Sequence, residues 1–430
     1  MRFEFFEETN FKETELGPLP EDWQVVRLGD VVNTDRRKGN ILEVIDGVPF
    51  IPMNLIPNEG LYIKNYEFRN LDDVRSGIVV YEGELLLAKI TPSFENGKQG
   101  ILKGVPFAIA TTEVIPIKTK DNICDVEFLF YNLKLPDVRN QLAQRMEGTT
   151  GRRRLSKNVL YNLLFPLPPL EEQKAIAEVL RRVQESIEKT EEVIRATKEL
   201  KKSLMKHLFT YGPVPLDEVE RVELKDTEIG PLPAHWNVVR LGEVGKISTG
   251  NTPSKGNPEY WASGTFDFVK PPDLKNRFIS TATEKISEKA LSKARIALAG
   301  SILVSCIGII GRVGYTTKPV AFNQQINSIT PNSGAYGLYI FHALQHNTVQ
   351  EVLNSLKSIT TVPIVNKSKF ETVPLPLPPL EEQKQIASIL QAVDEKIQKE
   401  EERKRALENL FKSLLHNLMS GKIRVRWKES

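Results

Sequence analysis

The sequence predicts a duplicated α/β (α+β) chain, two similar mixed domains that each lead into a long helix and are related by a pseudo-twofold internal repeat. Three observations carry this. Thr14-Glu15-Leu16-Gly17-Pro18-Leu19-Pro20 recurs as Thr227-Glu228-Ile229-Gly230-Pro231-Leu232-Pro233, followed by matching Trp23 and Trp236. Pro166-Leu167-Pro168-Pro169-Leu170-Glu171-Glu172-Gln173-Lys174 recurs unchanged from Pro376 to Lys384. After each of these blocks, apolar residues fall on an alternating four-and-three spacing.

Taken in order, residues 1–168 form the first expected domain. Within it, residues 47–56 read as extended and turn-rich, Ile78 to Leu87 as strand, turn and strand, and 126–134 and 137–146 as two short amphipathic segments. The next element, 169–210, is a long helix whose seam runs Ile176, Leu180, Val183, Ile187, Ile194, Leu204 and Leu208. Thr190, Thr197 and Lys201 interrupt it, as polar residues that fix register do. Tyr211-Gly212-Pro213-Val214-Pro215 opens an acidic linker, 211–226. The second domain, 227–378, mirrors the first, with 264–274 extended, Gly300 to Ser305 repeating the second strand, and short segments at 336–344 and 347–356. The second long helix, 379–418, carries Ile386, Leu390, Val393, Ile397, Leu407, Phe411, Leu414 and Leu418, interrupted by Glu400 and Lys404, and 419–430 is left as a tail. At ~1.5 Å per residue, a helix from Leu170 to Leu208 is roughly 58 Å long. Helices this polar need a partner, and each other is the simplest one.

Composition narrows the function. Over 430 residues, 58 Lys+Arg face 55 Asp+Glu, so any basic surface is local. Residues 1–168 hold 21 basic against 24 acidic residues, and 227–378 hold 15 against 9. Cys124 and Cys306 are too few and too far apart for a disulfide framework or a cysteine-built zinc site, which suits a reducing, cytoplasmic setting. The opening Met1 to Glu8 is broken by acids, unlike a signal peptide, and no apolar run approaches a membrane span.

Chemistry is harder to find. No phosphate-binding Gly-Lys-Ser or Gly-Lys-Thr string is present. Asp217, Glu223 and Lys225 could be imagined as a metal-assisted nuclease set, but they lie in the linker with no strand to hold them. Asn257-Pro258-Glu259-Tyr260 faintly resembles the tetrad with which adenine methyltransferases grip a flipped base, and Glu259 spoils it. His342 and His346 share a helical spacing but lack a third ligand, so they read as helix-surface residues. No catalytic residue and no metal ligand is assigned.

What remains is a set of loops suited to phosphates or base edges, and equally to solvated turns. The richest is Gly148 to Lys157, with Thr149, Thr150, Arg152, Arg153, Arg154 and Lys157. Its counterpart, 358–367, keeps Thr360, Thr361 and Lys367 without the arginines. Further DNA-contact candidates are Arg36, Arg37, Lys38, Lys89 and Lys98 in the first domain, and Thr252, Lys255, Lys270 and Arg312 in the second.

The two Gly-Pro-Leu-Pro to Trp blocks, the two Pro-Leu-Pro-Pro-Leu-Glu-Glu-Gln helix starts and the domain-helix-domain-helix order together resemble the specificity subunit of type I restriction-modification enzymes. Gly250-Asn251-Thr252-Pro253 with Glu259-Tyr260-Trp261, and Gly300 to Val304, also resemble that family's target-recognition domains. The resemblance covers nearly the whole chain. It implies a non-catalytic reader of double-stranded DNA whose two target-recognition domains each read one half of a split, asymmetric site. It implies helices packed as an antiparallel coiled coil that space the domains and dock two methyltransferase subunits, with restriction and translocase subunits joining that core. No cofactor is expected in this chain; S-adenosylmethionine, ATP and magnesium would belong to the partners. Two alternatives stay open on the residues alone, a stand-alone DNA-modifying enzyme with an unrecognised site and a coiled-coil scaffold that never touches DNA.

Overall fold

A computed structural model describes residues 2–34, 47–74, 76–149, 151–275, 277–358 and 362–428. The chain packs into two compact units, one of Met1–Val193 with Glu400–Ser430, the other of Ile194–Lys399. The sequence reading ends the first domain at 168 and leaves 419–430 as a tail. Instead Ile423–Lys428 is a strand paired antiparallel with Arg2–Glu7, and Val425 is buried in the first unit's core. The alternation Ile423, Val425, Trp427 supplies the apolar face that such a strand needs. The expected linker is also partly ordered, with a 3-10 helix at Leu216–Arg221 and a strand, Leu224–Thr227, beginning inside it.

The repeated blocks fold alike. Gly17 and Gly230 sit at φ +90° and +99°, turning the hairpins Phe11–Thr14 with Gly17–Pro20 and Leu224–Thr227 with Gly230–Pro233. Thr14 and Thr227 close those turns, each hydroxyl donating to the glycine carbonyl at 2.6 Å. The following tryptophans are fully buried and reach the starts of the long helices. Trp23 Nε1 donates to Glu172 Oε2 at 3.1 Å, and Trp236 Nε1 to Glu382 Oε2 at 2.9 Å. The neighbouring glutamine does the same work twice. Gln173 accepts from the Asp125 N–H and donates to the carbonyls of Ile123 and Pro168. Gln383 accepts from the Tyr336 N–H and donates to Gly334 and Pro378. Each repeat block therefore ties a hairpin, a helix start and the segment before the first short helix into one knot.

In the first unit, Leu85–Ala88 lies inside a four-stranded sheet ordered Val114–Ile117, Leu85–Ala88, Gln99–Leu102, Tyr62–Ile63. A second sheet orders Glu67–Arg69, Val48–Ile51, Phe107–Ala110, Ile78–Tyr81. The run Leu85-Leu86-Leu87 is apolar throughout because both its faces are covered. Leu85 and Leu87 pack with Phe128, Leu129, Ile176 and Leu180, whereas Leu86 packs with Ile51, Val80 and Leu102. The second unit repeats this, Ile302 and Val304 facing Tyr339, Ile340 and Ile386 while Leu303 faces Val269 and Phe322. There the corresponding sheet gains an edge strand, Gly245–Thr249, paired with Ile326–Pro331. The short segments are helices Val126–Asn132, Pro136–Gln144, Gly337–Ala343 and Asn347–Ser355. The first of each pair is almost wholly buried rather than amphipathic, since Phe128 to Tyr131 and Tyr339 to Ala343 are all fully inside.

The long helices are Leu170–Tyr211 and Leu380–Met419. Within the first unit Glu191 pairs with Lys404 at 2.5 Å and Glu172 with Arg424 at 2.6 Å. Within the second, Lys201 pairs with Asp394 at 2.6 Å, and Leu208 shares a core with Ile386 and Leu390. Numbers rise along one helix as they fall along the other, so the pair is antiparallel, a direction the seam spacing alone left open. Ile176, Leu180, Ile194, Leu208, Ile386, Leu390 and Leu418 are buried, while Val183, Ile187, Leu204, Val393, Ile397, Leu407, Phe411 and Leu414 are half-buried. A two-helix seam has one partner only, so it is driest where a domain core also covers it. Among the polar interruptions, Thr190 donates to the Ser186 carbonyl at 2.7 Å, and Lys201 and Lys404 form ion pairs across the helices. Burial pushes the Asp394 carboxyl up and Lys201 pulls it back.

His342, read above as a surface residue, is instead fully buried, with Asp394 Oδ2 3.9 Å from its Nδ1. Burial, and then the charge of Lys201, push its pKa down to about 3.

Two measurements follow. Gln383→Leu leaves the Tyr336 N–H and two carbonyls without their partner, at roughly 1–3 kcal/mol per stranded group; urea unfolding should show a lower midpoint, and an unchanged one would remove Gln383 from the knot. His342 stays neutral when folded but protonates near 6.5 when unfolded, so its contribution is complete above pH 6.5 and is lost as pH falls toward 3. His342→Leu should flatten that part of the stability profile, read from thermal unfolding at stepped pH; identical acid slopes would contradict it.

Candidate nucleic-acid interface

The end of the central strand is where each unit gathers its candidate residues. Past Leu85–Ala88, the Lys89 carbonyl accepts from the Leu155 N–H at 2.7 Å, Ile90 bridges Arg154, and the Thr91 N–H donates to the Arg153 carbonyl at 3.1 Å. The Thr91 hydroxyl in turn accepts from the Arg153 N–H at 3.0 Å. These bonds strap the hairpin Glu147–Thr149 with Arg152–Arg154 across the strand's end. Gly148 permits it, for at φ +131° a Cβ would lie 2.5 Å from the Arg152 carbonyl.

The second unit builds the same strap from different residues. The Cys306 carbonyl accepts from the Val365 N–H at 2.9 Å, Ile307 bridges Ile364, and the Gly308 N–H donates to Pro363 at 3.0 Å. Each strap ends in an apolar residue and a helix cap. Leu155-Ser156 and Val365-Asn366 bury the first residue, and the second side chain accepts from Val159 N–H at 3.2 Å or Lys369 N–H at 2.9 Å. A third element meets both straps, the turn between the last two strands, through Lys89 N–H to Glu113 at 3.0 Å and Cys306 N–H to Gln325 at 2.7 Å.

The cations placed there are not equivalent. Arg154 pairs with Glu113 at 2.8 Å, and Arg153 pairs with Glu95 at 2.5 Å. The guanidinium of Arg152 and the ammonium of Lys89 have no ion-pair partner among the described residues, and Arg152 and Thr149 are exposed. Lys98 is committed inward, its ammonium donating to the carbonyls of Met53 at 2.6 Å and Ile56 at 3.2 Å. In the second unit Lys270 pairs with Glu284, Lys367 with Glu371 at 3.4 Å, and Arg312 donates weakly to the Pro271 carbonyl at 3.5 Å. Thr252 donates to Gln324 Oε1 at 2.6 Å, and exposed Lys255 lies 5.7 Å from the Trp261 ring centre. Lys157 is exposed in the first turn of Lys157–Tyr161. Arg36, Arg37, Lys38, Thr150, Thr360 and Thr361 lie outside the described residues.

The sequence reading missed two half-buried cations that tie the first unit's short helices to neighbouring loops. Arg139 donates to the carbonyls of Leu133 and Phe94, and burial pushes its pKa down to about 10. Lys134 donates to the Asn58 carbonyl at 2.6 Å. Only their spacing behind a buried aromatic helix could have hinted at this.

Groups imagined as catalytic have other duties. Asn257 caps a 3-10 helix, accepting from the Glu259 N–H, and Lys225 donates to the Trp236 carbonyl. Burial pushes both the Cys124 and Cys306 thiols up to about 12, so neither is a thiolate near neutrality. Among the described residues no three His, Cys, Asp or Glu are placed to hold a metal ion, and no helix is long and apolar enough to cross a membrane.

Residues 20–196 and 233–409 match the family model described as the type I restriction modification DNA specificity domain. The chain is 29% identical over 448 residues to the type I restriction enzyme MjaVIII specificity subunit of Methanocaldococcus jannaschii, covering 98% of each. It is 24% identical to the HindI specificity subunit of Haemophilus influenzae, covering 94% of this chain and all of that one. Among solved structures, the S subunit from M. genitalium shares the fold at a TM-score of 0.63 with 15% identity, over 92% of this chain and 96% of that one. A chain of a type I restriction-modification assembly shares it at 0.51 with 23% identity, over 94% and 99%.

The division between committed and available cations is open to measurement. Lys98→Ala strands two carbonyls and should cost roughly 1–3 kcal/mol, whereas Arg152→Ala and Lys255→Ala should stay within about 0.5 kcal/mol. Thermal unfolding of the three variants decides it, and equal losses at all three would mean that the exposed cations are structural too.

Proposed function

The chain belongs to the type I restriction-modification DNA specificity family, and from that premise we propose that its two domains each read one half of a bipartite, asymmetric site in double-stranded DNA. The observation that carries this is the strap. One backbone frame is built twice, and the side chains it presents differ, arginine-rich in one unit and nearly free of charge in the other. A frame that holds backbone constant while changing side chains suits two recognition events with separate sequences. Available Arg152 and Lys89 suit phosphate or base-edge contact in the first half-site; Lys255 and Thr252 suit the second.

The chain on this reading recognises DNA and leaves chemistry to others. Two methyltransferase subunits would dock on the paired helices and supply S-adenosylmethionine, and restriction and translocase subunits would bring ATP and magnesium, all within the cytoplasm. The helices then set the distance between half-sites. Methylation mapping in cells carrying this chain with its methyltransferase tests the reading, and a methylated motif that is not split in two would overturn it.

A ruler can be lengthened. One heptad added to each helix near its middle preserves the apolar seam and extends the pair by ~10 Å, or roughly 3 base pairs at ~3.4 Å each. The half-sites should persist with a longer spacer and reduced activity, because DNA twist also advances. The original spacer at full activity would show that the helices do not set the distance.

A further inference from the structure

The turn joining Val320–Phe322 to Ile326–Pro331 carries Asn323-Gln324-Gln325, an amide-rich tripeptide. It is held from all sides. The Asn323 N–H donates to Val269, the Gln325 carbonyl accepts from Cys306, and the Asn323 and Gln325 side chains bond each other at 2.9 Å. Gly250-Asn251-Thr252 is clamped against it, with Gly250 N–H to Ile326 at 3.0 Å and Asn251 N–H to Phe322 at 3.1 Å. Only glycine fits at 250, since a Cβ would stand 2.2 Å from the Asn323 carbonyl.

Within this clamp Asn323 is buried, Gln325 is half-buried and Gln324 is exposed. Among the described residues the amide of Gln324 has a single bond, from the Thr252 hydroxyl to Oε1 at 2.6 Å. That bond holds the amide against the Thr252 hydroxyl, with Oε1 as the acceptor. It leaves one Oε1 lone pair and both Nε2 hydrogens for a ligand. Beside the turn, Asn251 bonds the Lys293 carbonyl and the Arg295 N–H, each at 2.6 Å, and so positions two exposed cations. Neither has an ion-pair partner among the described residues. An exposed amide near a segment that carries two unpaired cations is an arrangement for a base edge with phosphates beside it.

We propose that Gln324 is a specificity-determining residue of the second half-site. Its amide accepts from adenine N6–H and donates to N7 in the major groove, with Thr252 as its positioning residue and Lys293 and Arg295 on the neighbouring phosphates. The proposal rests on the DNA-reading function above and assigns the base that one side chain reads. The equivalent turn of the first unit, Thr111-Thr112-Glu113, presents exposed Thr112 in that place, so the two turns present different chemistry.

The test is selection from a randomised duplex library by the full chain assembled with its methyltransferase subunits. Gln324→Ala should lose an adenine preference of roughly 10- to 100-fold at one position of one half-site, leaving the other half intact. Gln324→Glu should move that preference toward cytosine, whose N4–H₂ a carboxylate accepts. A merely structural residue could not produce that second result. The wild-type motif unchanged in both variants, or an even relaxation across both halves, would overturn the assignment while leaving the half-site reading in place. No motif selected by the unsubstituted chain would overturn both.

Discussion

Much of this structure hangs on one hydrogen-bonded knot, made twice, between a buried indole and the carboxylate that opens a long helix. Trp23 with Glu172, and Trp236 with Glu382, join residues about 150 apart in sequence, with both indoles fully buried. A buried indole N–H needs an acceptor, and a half-buried carboxylate at a helix start needs donors, so each answers the other's cost. Gln173 and Gln383 extend the knot to the buried short helices. The sheets and the helix pair are thus held in one orientation by residues that never approach the interface. The exposed side chains of the interface loops are correspondingly less constrained, because the knots hold the fold without them.

The strap shows how that freedom is bounded. Its backbone bonds recur at Lys89 with Leu155 and at Cys306 with Val365, though Lys89 and Cys306 share no chemistry. What the frame fixes is the direction of the chain across the strand end. In the first unit the arginines on it are partly neutralised by Glu95 and Glu113, which tempers a basic loop in a domain whose overall balance is acidic. In the second unit the balance is basic, and the cations are spread among Lys255, Lys293 and Arg295.

The duplication, the helices and the central strands were legible because each depends on repeated or periodic residues. Leu85 to Leu87 reads as a strand, and only burial on both faces makes it continuous. The antiparallel direction was not legible, since a seam of apolar residues is satisfied by either direction until ion pairs such as Lys201 with Asp394 choose one. Nor was the burial of His342, because a helix carrying a polar residue looks amphipathic until its other side is also covered. At the interface, residue type identified loops rich in cations. It could not tell Lys98, folded inward onto two carbonyls, from Arg152, which faces outward, since that difference lies in long-range contacts.

The pairing of Arg2–Glu7 with Ile423–Lys428 has a consequence for the order of events on the ribosome. The second unit is one continuous segment, complete once residue 399 has emerged. The first unit begins earlier but lacks its last strand and helix turns until residues 400–428 have emerged. Until then Ile176 and Leu180, with the core beneath them, await Leu415 and Leu418. The half of the protein made first is therefore finished last. A stop before Ile423 would injure the strand Arg2–Glu7, made about 400 residues earlier.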